Sequence, residues 1–238
     1  LFCESDGSFP NHHPDPTVLE NLRDLQAAVR RSGAELGVAF DGDADRIGAV
    51  DENATVVFGD QLLVLYGRDA VRRFGPGIAV IFDVKCSEVL PQALRKAGAV
   101  PEMWRTGHSL IKARMKEMNA PLAGEMSGHM FFGGDWFGFD DALFAAARLL
   151  EIVSAEPGGL SRTLADLPKI DVVMISHNHY DHLDEATVRR LAAMRQGSPR
   201  FLVPLGLKRW FAELGIERVD EYDWWQDTKE GPLAITFV

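Results

Sequence analysis

Apolar residues recur along this chain in two rhythms. Val18, Leu19, Leu22, Leu25, Ala28 and Val29 fall at helical spacing and predict a helix over residues 17–31. Residues 36–40 form a short apolar run after Gly33, which predicts a buried strand. The runs 47–50 and 56–58 flank Asp51, Glu52, Asn53 and Ala54, a pattern that predicts a hairpin. Helix 60–74, strand 78–82, helix 87–97, strand 101–105 and helix 109–118 follow in alternation, and alternation predicts an α/β layered fold. A long helix over 140–154 is expected to bury Leu143, Phe144, Ala147, Leu150 and Val153 on one face. Pro157, Gly158 and Gly159 end it, and a short helix over 160–167 stops at Pro168. The pattern then restarts: strand 170–175, a polar loop 176–182, helix 185–194, strand 200–204, helix 207–214 and strand 233–238. Residues 1–16, with Pro10, Pro14 and Pro16, predict loop.

Composition narrows the class. The 238 residues are 46% hydrophobic, enough to bury a core, and the net charge of −10 speaks against nucleic acid as a partner. Cys3 and Cys86 cannot build a disulfide framework, which points to a reducing, cytoplasmic setting. No apolar run reaches the ~18 residues that a membrane-spanning helix needs. Leu1, Phe2, Cys3 and Glu4 show no signal-peptide pattern, and the sequence reads as though it begins inside a longer one.

The first candidate chemistry lies at residues 41–46. Asp41-Gly42-Asp43-Ala44-Asp45-Arg46 places three carboxylates at alternate positions after a buried strand. Carboxylates that converge repel one another unless a cation sits among them, and hard oxygen donors suit Mg²⁺ or Ca²⁺. Gly42 is expected to supply the tight turn. An EF-hand would need glycine where Arg46 stands; a solvated acidic turn is the other alternative. Arg46 beside the triad suggests an anion next to the cation, as in a metal–phosphate pair.

This loop resembles the metal-binding loop of the α-D-phosphohexomutases, the phosphomannomutase/phosphoglucomutase group. The segment from Glu4 to Pro16, then Asp83-Val84-Lys85-Cys86, Thr106-Gly107-His108-Ser109, Gly124-Glu125-Met126-Ser127-Gly128-His129 and Trp136-Phe137-Gly138-Phe139-Asp140-Asp141 follow in that family's order. The resemblance covers residues 1–168. It implies Asp41, Asp43 and Asp45 as Mg²⁺ ligands and Arg46 near the phosphoryl group. Glu125, Ser127 and His129 would read sugar hydroxyls, and Lys85 and His108 would line the same cleft for acid/base or phosphate contacts. Gly124 and Gly128 are expected to let the backbone approach. Taken alone, His129 also reads as an ordinary histidine, Ser127 as a turn cap and Lys85 as a surface charge; His12 and His13 read as structural. The implied partner is a hexose phosphate, and the implied reaction interconverts hexose 1- and 6-phosphates through a phosphoserine. That serine's Thr-Ala-Ser-His-Asn-Pro type loop is expected upstream of residue 1, and the domain gripping the substrate's phosphate is expected after 168 but does not follow. Ser176-His177-Asn178 repeats part of the serine loop, but it follows the metal loop and lacks the proline.

The second candidate is the polar loop 176–182, where His177, His179, Asp181 and His182 fall within six residues. Imidazoles with one carboxylate suit zinc, and a metal pair would generate a hydroxide nucleophile. The motif resembles the His-x-His-x-Asp-His signature of the metallo-β-lactamase fold. Its surroundings, from Ile175 to Asp184, Phe201 to Gly206 and Asp223 to Trp225, are similar to the branch containing N-acylphosphatidylethanolamine-hydrolysing phospholipase D. That implies His177 and His179 on one zinc, Asp181 and His182 on the other, and a hydrolase of phosphodiester or acyl substrates. No histidine follows His182, so a dinuclear site would be short of ligands. Trp224 and Trp225 read as half-buried packing, with a lipid- or substrate-facing patch as the alternative.

The expected architecture is therefore α/β throughout. Residues 1–55 would be the later half of phosphohexomutase domain 2, 56–168 a complete domain 3 with a mixed sheet, and 169–238 a partial metallo-β-lactamase-type αβ unit. A fusion near Pro168 and Lys169 is implied, with unpaired edges that predict marginal stability or self-association in the tail. Such a chain would be an incomplete catalyst, or a fragment that binds sugar phosphate or metal without turnover.

Overall fold

The computed structural model describes residues 1–4, 6–168, 170–179, 182–193 and 198–238. It divides into two compact units, Leu1–Leu167 and Pro168–Val238.

The first unit begins with a loop, a 3₁₀ turn at Leu19–Leu22 and helix α1, Arg23–Ser32, closed by Gly33 in the left-handed conformation. Strands β1 (Leu36–Phe40), β2 (Ile47–Asp51) and β3 (Val56–Val57) form an antiparallel sheet in that order. Leu22, Val29, Val50, Ala54 and Val56 close a small core between α1 and this sheet. The β2–β3 turn is held by the Asp51 side chain, which accepts from the backbone N–H of Asn53 and of Thr55, both at 2.9 Å.

A second sheet lies within the same unit. Its strands are β4 (Ala79–Asp83), β5 (Val100–Trp104), β6 (Leu122–Gly124) and β7 (Met130–Phe132), in the order β5-β4-β6-β7. Strand β4 runs parallel to both neighbours, and β6–β7 is an antiparallel hairpin. Helices α2 (Gly59–Phe74), α3 (Val89–Ala97) and α5 (Ala142–Ala155) cover one face and α4 (His108–Met118) the other. Side chains alternate accordingly: Val80, Phe82, Leu122, Met130 and Phe132 enter the larger core, while Ile81, Ala123 and Phe131 meet Ile111 and Met115 of α4. Leu160 and Leu164, in and beside the short helix α6 (Gly159–Thr163), complete the larger core.

The second unit carries β8 (Val172–Met174), α7 (Glu185–Ala192), β9 (Arg200–Pro204), α8 (Lys208–Glu213) and β10 (Val219–Tyr222). The three strands are parallel in the order β10-β9-β8, around a core of Ile175, Val188, Phe201, Val203, Phe211, Ile216 and Val219. A hairpin of β11 (Asp227–Glu230) and β12 (Leu233–Thr236) follows. Among the described residues, no helix is long and apolar enough to cross a membrane.

The alternating elements agree with the sequence pattern, with three corrections. The face of α5 is rotated: Ala142, Ala145, Ala146, Leu149, Ile152 and Val153 are buried, whereas Leu143 and Leu150 are 60% and 51% exposed and Ala147 is exposed too. Small alanines let α5 approach closely enough for the Tyr66 hydroxyl of α2 to donate to the Ala145 carbonyl at 2.9 Å, and leucine in their place would hold the helices apart. Trp224 and Trp225 are not packed; they stand 71% and 75% exposed at a turn where Trp225 has φ 64°. Strands β6, β7, β10 and β11 were not evident in the sequence.

The Arg200 side chain ties the β11–β12 hairpin to the parallel sheet. Arg200 donates to Asp220 at 2.7 Å, to the Tyr222 hydroxyl at 2.8 Å, to Glu230 and the Lys229 carbonyl at 3.2 Å, and to the Thr228 hydroxyl at 3.3 Å. Replacing Arg200 by Met is expected to destabilise the second unit by about 2 kcal/mol, since its partners are partly solvated. Urea unfolding and faster amide exchange at Thr228 and Ile235 measure it; an unchanged midpoint would contradict the assignment.

Candidate metal and sugar site

Three loops leave the C-terminal ends of the parallel strands. They follow Asp83 of β4, Trp104 of β5 and Gly124 of β6. Loops at this end of a parallel sheet, departing toward opposite faces, leave a crevice between them. One carboxylate joins all three. Asp83, 1% exposed, accepts from the Cys86 thiol at 3.1 Å, the Thr106 hydroxyl at 3.0 Å and the Met126 N–H at 3.0 Å. A buried charge is stable only when its acceptor sites are filled in this way. Burial and the adjacent Asp83 push the Cys86 thiol far above its ordinary range, so this free cysteine is inert.

Glu125, 3% exposed, is a second junction. It accepts from the Gly107 N–H at 2.7 Å and the Ser127 hydroxyl at 3.2 Å. Gly107 precedes α4, so Glu125 also fixes where His108 begins that helix. The His108 ring stacks on His129 with centroids 5.9 Å apart. Lys85 stands exposed on the turn after β4, and it forms no hydrogen bond or ion pair among the described residues.

The carboxylate turn sits against this loop. Ligand oxygens of Asp41, Asp43 and Asp45 lie within 4.8 Å of one another. The residue that curls the turn is Ala44, with φ 59°, and not Gly42, as the sequence suggested. Gly42 is small because the N-terminal loop passes over it: a Cβ there would meet Pro14 at 3.3 Å. Asp41 Oδ1 accepts from the N–H of Asp45 at 3.0 Å and of Arg46 at 3.1 Å, and its Oδ2 accepts from Arg46 Nε at 2.6 Å. The Arg46 guanidinium also reaches Asp15 at 3.3 Å, a tie the sequence did not reveal. Chain continuity from Arg46 into β2 excludes a helix-entering EF-hand loop.

Electrostatics separate the acids. Burial opposes ionisation of Asp41, but the Arg46 hydrogen bonds outweigh it and hold the carboxyl below its usual range. Arg46 Nε comes only within 3.9 Å of Asp45 Oδ1, too far for a hydrogen bond. Burial, a hydrogen bond with Asp41 and the nearby Asp41 and Asp43 charges push it up to about 6, although His129 pulls the other way. This is a site with surplus negative charge, and the all-oxygen donor set fits a hard divalent cation such as Mg²⁺.

Two backbone stitches bind the turn to the Glu125–His129 loop and α5. Ile47 N–H donates to the Gly128 carbonyl at 3.1 Å, and Ala142 N–H donates to the Ala44 carbonyl at 3.0 Å. At Gly128, φ is 98° and a Cβ would lie 2.4 Å from the Ile47 carbonyl oxygen, so only glycine fits. Gly124 instead packs inward against Met130 and Leu63. Arg46 and His129 pair as an antiparallel bridge, which brings the two loops edge to edge.

In the second unit, the His177 ring lies 4.7 Å from His179 and 4.0 Å from His182, centroid to centroid. The Ser176 hydroxyl bonds His177 Nδ1 at 2.9 Å and His182 Nδ1 at 3.4 Å. Asp181 lies outside the described residues. Among the described residues, the clusters that bring three ligand atoms within 4.8 Å are both in the first unit.

The sequence matches known families along its whole length. Residues 1–55 match the family model "Phosphoglucomutase/phosphomannomutase, alpha/beta/alpha domain II", and residues 58–170 match the corresponding domain III. Residues 129–238 match a "Beta-lactamase superfamily domain", overlapping the domain III match. The first unit is thus built from phosphohexomutase domains II and III, and the helices on both faces of its second sheet agree. Among relatives, a phosphomannomutase/phosphoglucomutase of Pseudomonas syringae pv. tomato is 55% identical over 168 residues, covering 71% of this chain and 36% of that protein. A phosphoglucomutase of Neisseria gonorrhoeae is 52% identical over 169 residues, with the same coverage of 71% and 36%. A crystal structure of a phosphoglucomutase/phosphomannomutase family protein from Burkholderia thailandensis aligns with a TM-score of 0.68 at 48% identity, over 71% of this chain and 37% of that one. The chain therefore spans about a third of the length of the curated relatives it matches.

The sequence alone assigns no role to Asp83; its position at a strand end before a turn is the available signal. Replacing it by Asn removes the charge and sets an amide against one of three donors. The variant is expected to lose about 2–4 kcal/mol of stability. Thermal unfolding and amide exchange at Met126 measure this, and an unchanged Met126 exchange rate would contradict the role given to Asp83.

Proposed function

We propose that the first unit binds a divalent cation, Mg²⁺, through Asp41, Asp43 and Asp45, and a hexose phosphate on the adjoining loop. The reaction it serves is the interconversion of hexose 1- and 6-phosphates by phosphoryl transfer through a phosphoserine. The observation that carries this reading is the joining of two loops: the carboxylate turn is hydrogen-bonded through Ile47 to Gly128, inside the Glu125–Ser127–His129 segment. Mg²⁺ supplies charge neutralisation at a transferring phosphoryl group. Glu125 has fixed, buried oxygens suited to accepting from sugar hydroxyls. Ser127 supplies a rotatable hydroxyl. His129 and His108, stacked and both facing Asp140, are placed to exchange protons with a hydroxyl or to contact phosphate. Arg46 holds Asp41 in place and positions positive charge beside the turn. Lys85, exposed at the crevice rim, is assigned to the substrate's phosphate. By this reading the divisions are 1–55, 56–168 and 169–238.

The second unit supports a separate reading, favoured by the β-lactamase superfamily match and the three clustered imidazoles. We read it as a zinc-binding hydrolase-type element, with His177, His179, Asp181 and His182 as ligands. Kinship to the N-acylphosphatidylethanolamine phospholipase D branch is part of that reading.

Glucose 6-phosphate titrated into the full chain with excess Mg²⁺ tests the first reading. Binding is expected by calorimetry, weakened about tenfold in Glu125→Gln through the loss of charged hydrogen bonds. Equal binding by Glu125→Gln and the parent, or none by the parent, would contradict it.

A further inference from the structure

Asp45 belongs to two ligand groups. Besides the carboxylate triad, it lies with His129 and Asp140, again with three donor atoms within 4.8 Å of one another. This second group mixes nitrogen with oxygen and draws on three separate segments: the turn before β2, the turn before β7 and the residues before α5.

Two of its atoms, His129 Nδ1 and Asp140 Oδ2, are buried without a hydrogen-bond partner among the described residues. They stand 3.1 Å apart, close but not aligned as a hydrogen bond, and His129 Nδ1 is 3.6 Å from Asp45 Oδ1. The Asp140 side chain is only 8% exposed, and its other oxygen is taken by Lys112 Nζ at 3.0 Å. Its Oδ2 also lies 3.6 Å from His108 Nδ1. Native interiors rarely leave such atoms unpaired, and those that do often mark an ion. Zinc bonds of about 2.0–2.2 Å in a tetrahedral shell place neighbouring donors roughly 3.2–3.6 Å apart. The separations at His129 Nδ1 are close to that spacing.

The geometry points to a second cation subsite, formed by Asp45, His129 and Asp140, that takes a borderline divalent transition ion such as Zn²⁺ or Co²⁺ and shares Asp45 with the carboxylate triad. Donor chemistry separates the two: an all-oxygen triad suits Mg²⁺, and an imidazole nitrogen favours the later ions. The subsite stands on these three side chains whether or not a sugar phosphate binds nearby. If both bind, zinc occupies His129 and competes with the sugar.

Zn²⁺ and Co²⁺ are titrated into the metal-free full chain carrying His177→Ala and His179→Ala, with Mg²⁺ in large excess. The expected result is one tightly held ion per chain, with a cobalt visible spectrum of low-coordinate, nitrogen-containing type. Affinity should fall about 10- to 100-fold in Asp140→Asn and in His129→Gln, and persist in Asp43→Asn, which alters the triad alone. Circular dichroism establishes that each variant is folded. Displacement of the ion by excess Mg²⁺ in the parent, a measurement that needs no site variant, would overturn the proposal. Undiminished zinc affinity in folded Asp140→Asn would overturn it as well.

Discussion

Like charges held close together govern the first unit. The turn between β1 and β2 brings the oxygens of Asp41, Asp43 and Asp45 within 4.8 Å of one another. Arg46 offsets this mainly at Asp41, and the strain of the remainder shows at Asp45, whose carboxyl is pushed up to about 6 by burial and by its acidic neighbours. The turn cannot relax by opening, because Ala142 and Gly128 hold it to α5 and to the Glu125–His129 loop. The backbone thus fixes an electrostatic deficit that a cation is suited to relieve.

Acids of the first unit fall into two kinds. Asp83 and Glu125 accept from donors of the protein itself and so determine where loops lie, with Glu125 accepting one donor at each oxygen and keeping room for a further hydroxyl. Asp43, Asp45 and Asp140 retain acceptor capacity at one crevice, and among the described residues Asp140 Oδ2 has no hydrogen-bond partner. The first kind sets the architecture, and the second has no protein donor that fixes it in the same way. The two are joined by His129, which follows the Glu125 loop and faces both Asp45 and Asp140.

Much of this was legible in the sequence. Alternating apolar runs located β1, β2, β4, β5 and the helices between them, because each such element has a long enough periodic face. The triad's convergence followed from alternate spacing. What was not legible depended on partners distant in sequence. The buried face of α5 was misjudged because leucine outranks alanine in hydrophobicity, whereas close packing against Tyr66 selects alanine. Ala44 took the left-handed position expected of glycine at 42, since the passing Pro14 set the demand at Gly42. Asp15, Asp83 and Asp140 gain their roles from contacts 20 or more residues away, as with Asp15 and Arg46. In the second unit, exposed Trp224 and Trp225 could not be told from packed ones by composition.

On the proposed reading, residues 41–46 fold into an electrostatically unfavourable turn because a divalent cation completes it. Thermal unfolding of the full chain and of Asp43→Asn, each with chelator and with Mg²⁺, tests it most directly. The account predicts that without metal the variant unfolds at a higher temperature than the parent, since one repelling charge is gone. With Mg²⁺ the parent should rise in proportion to the logarithm of metal concentration and overtake the variant. A parent whose unfolding temperature ignores Mg²⁺, or a variant that responds to it equally, would contradict the account.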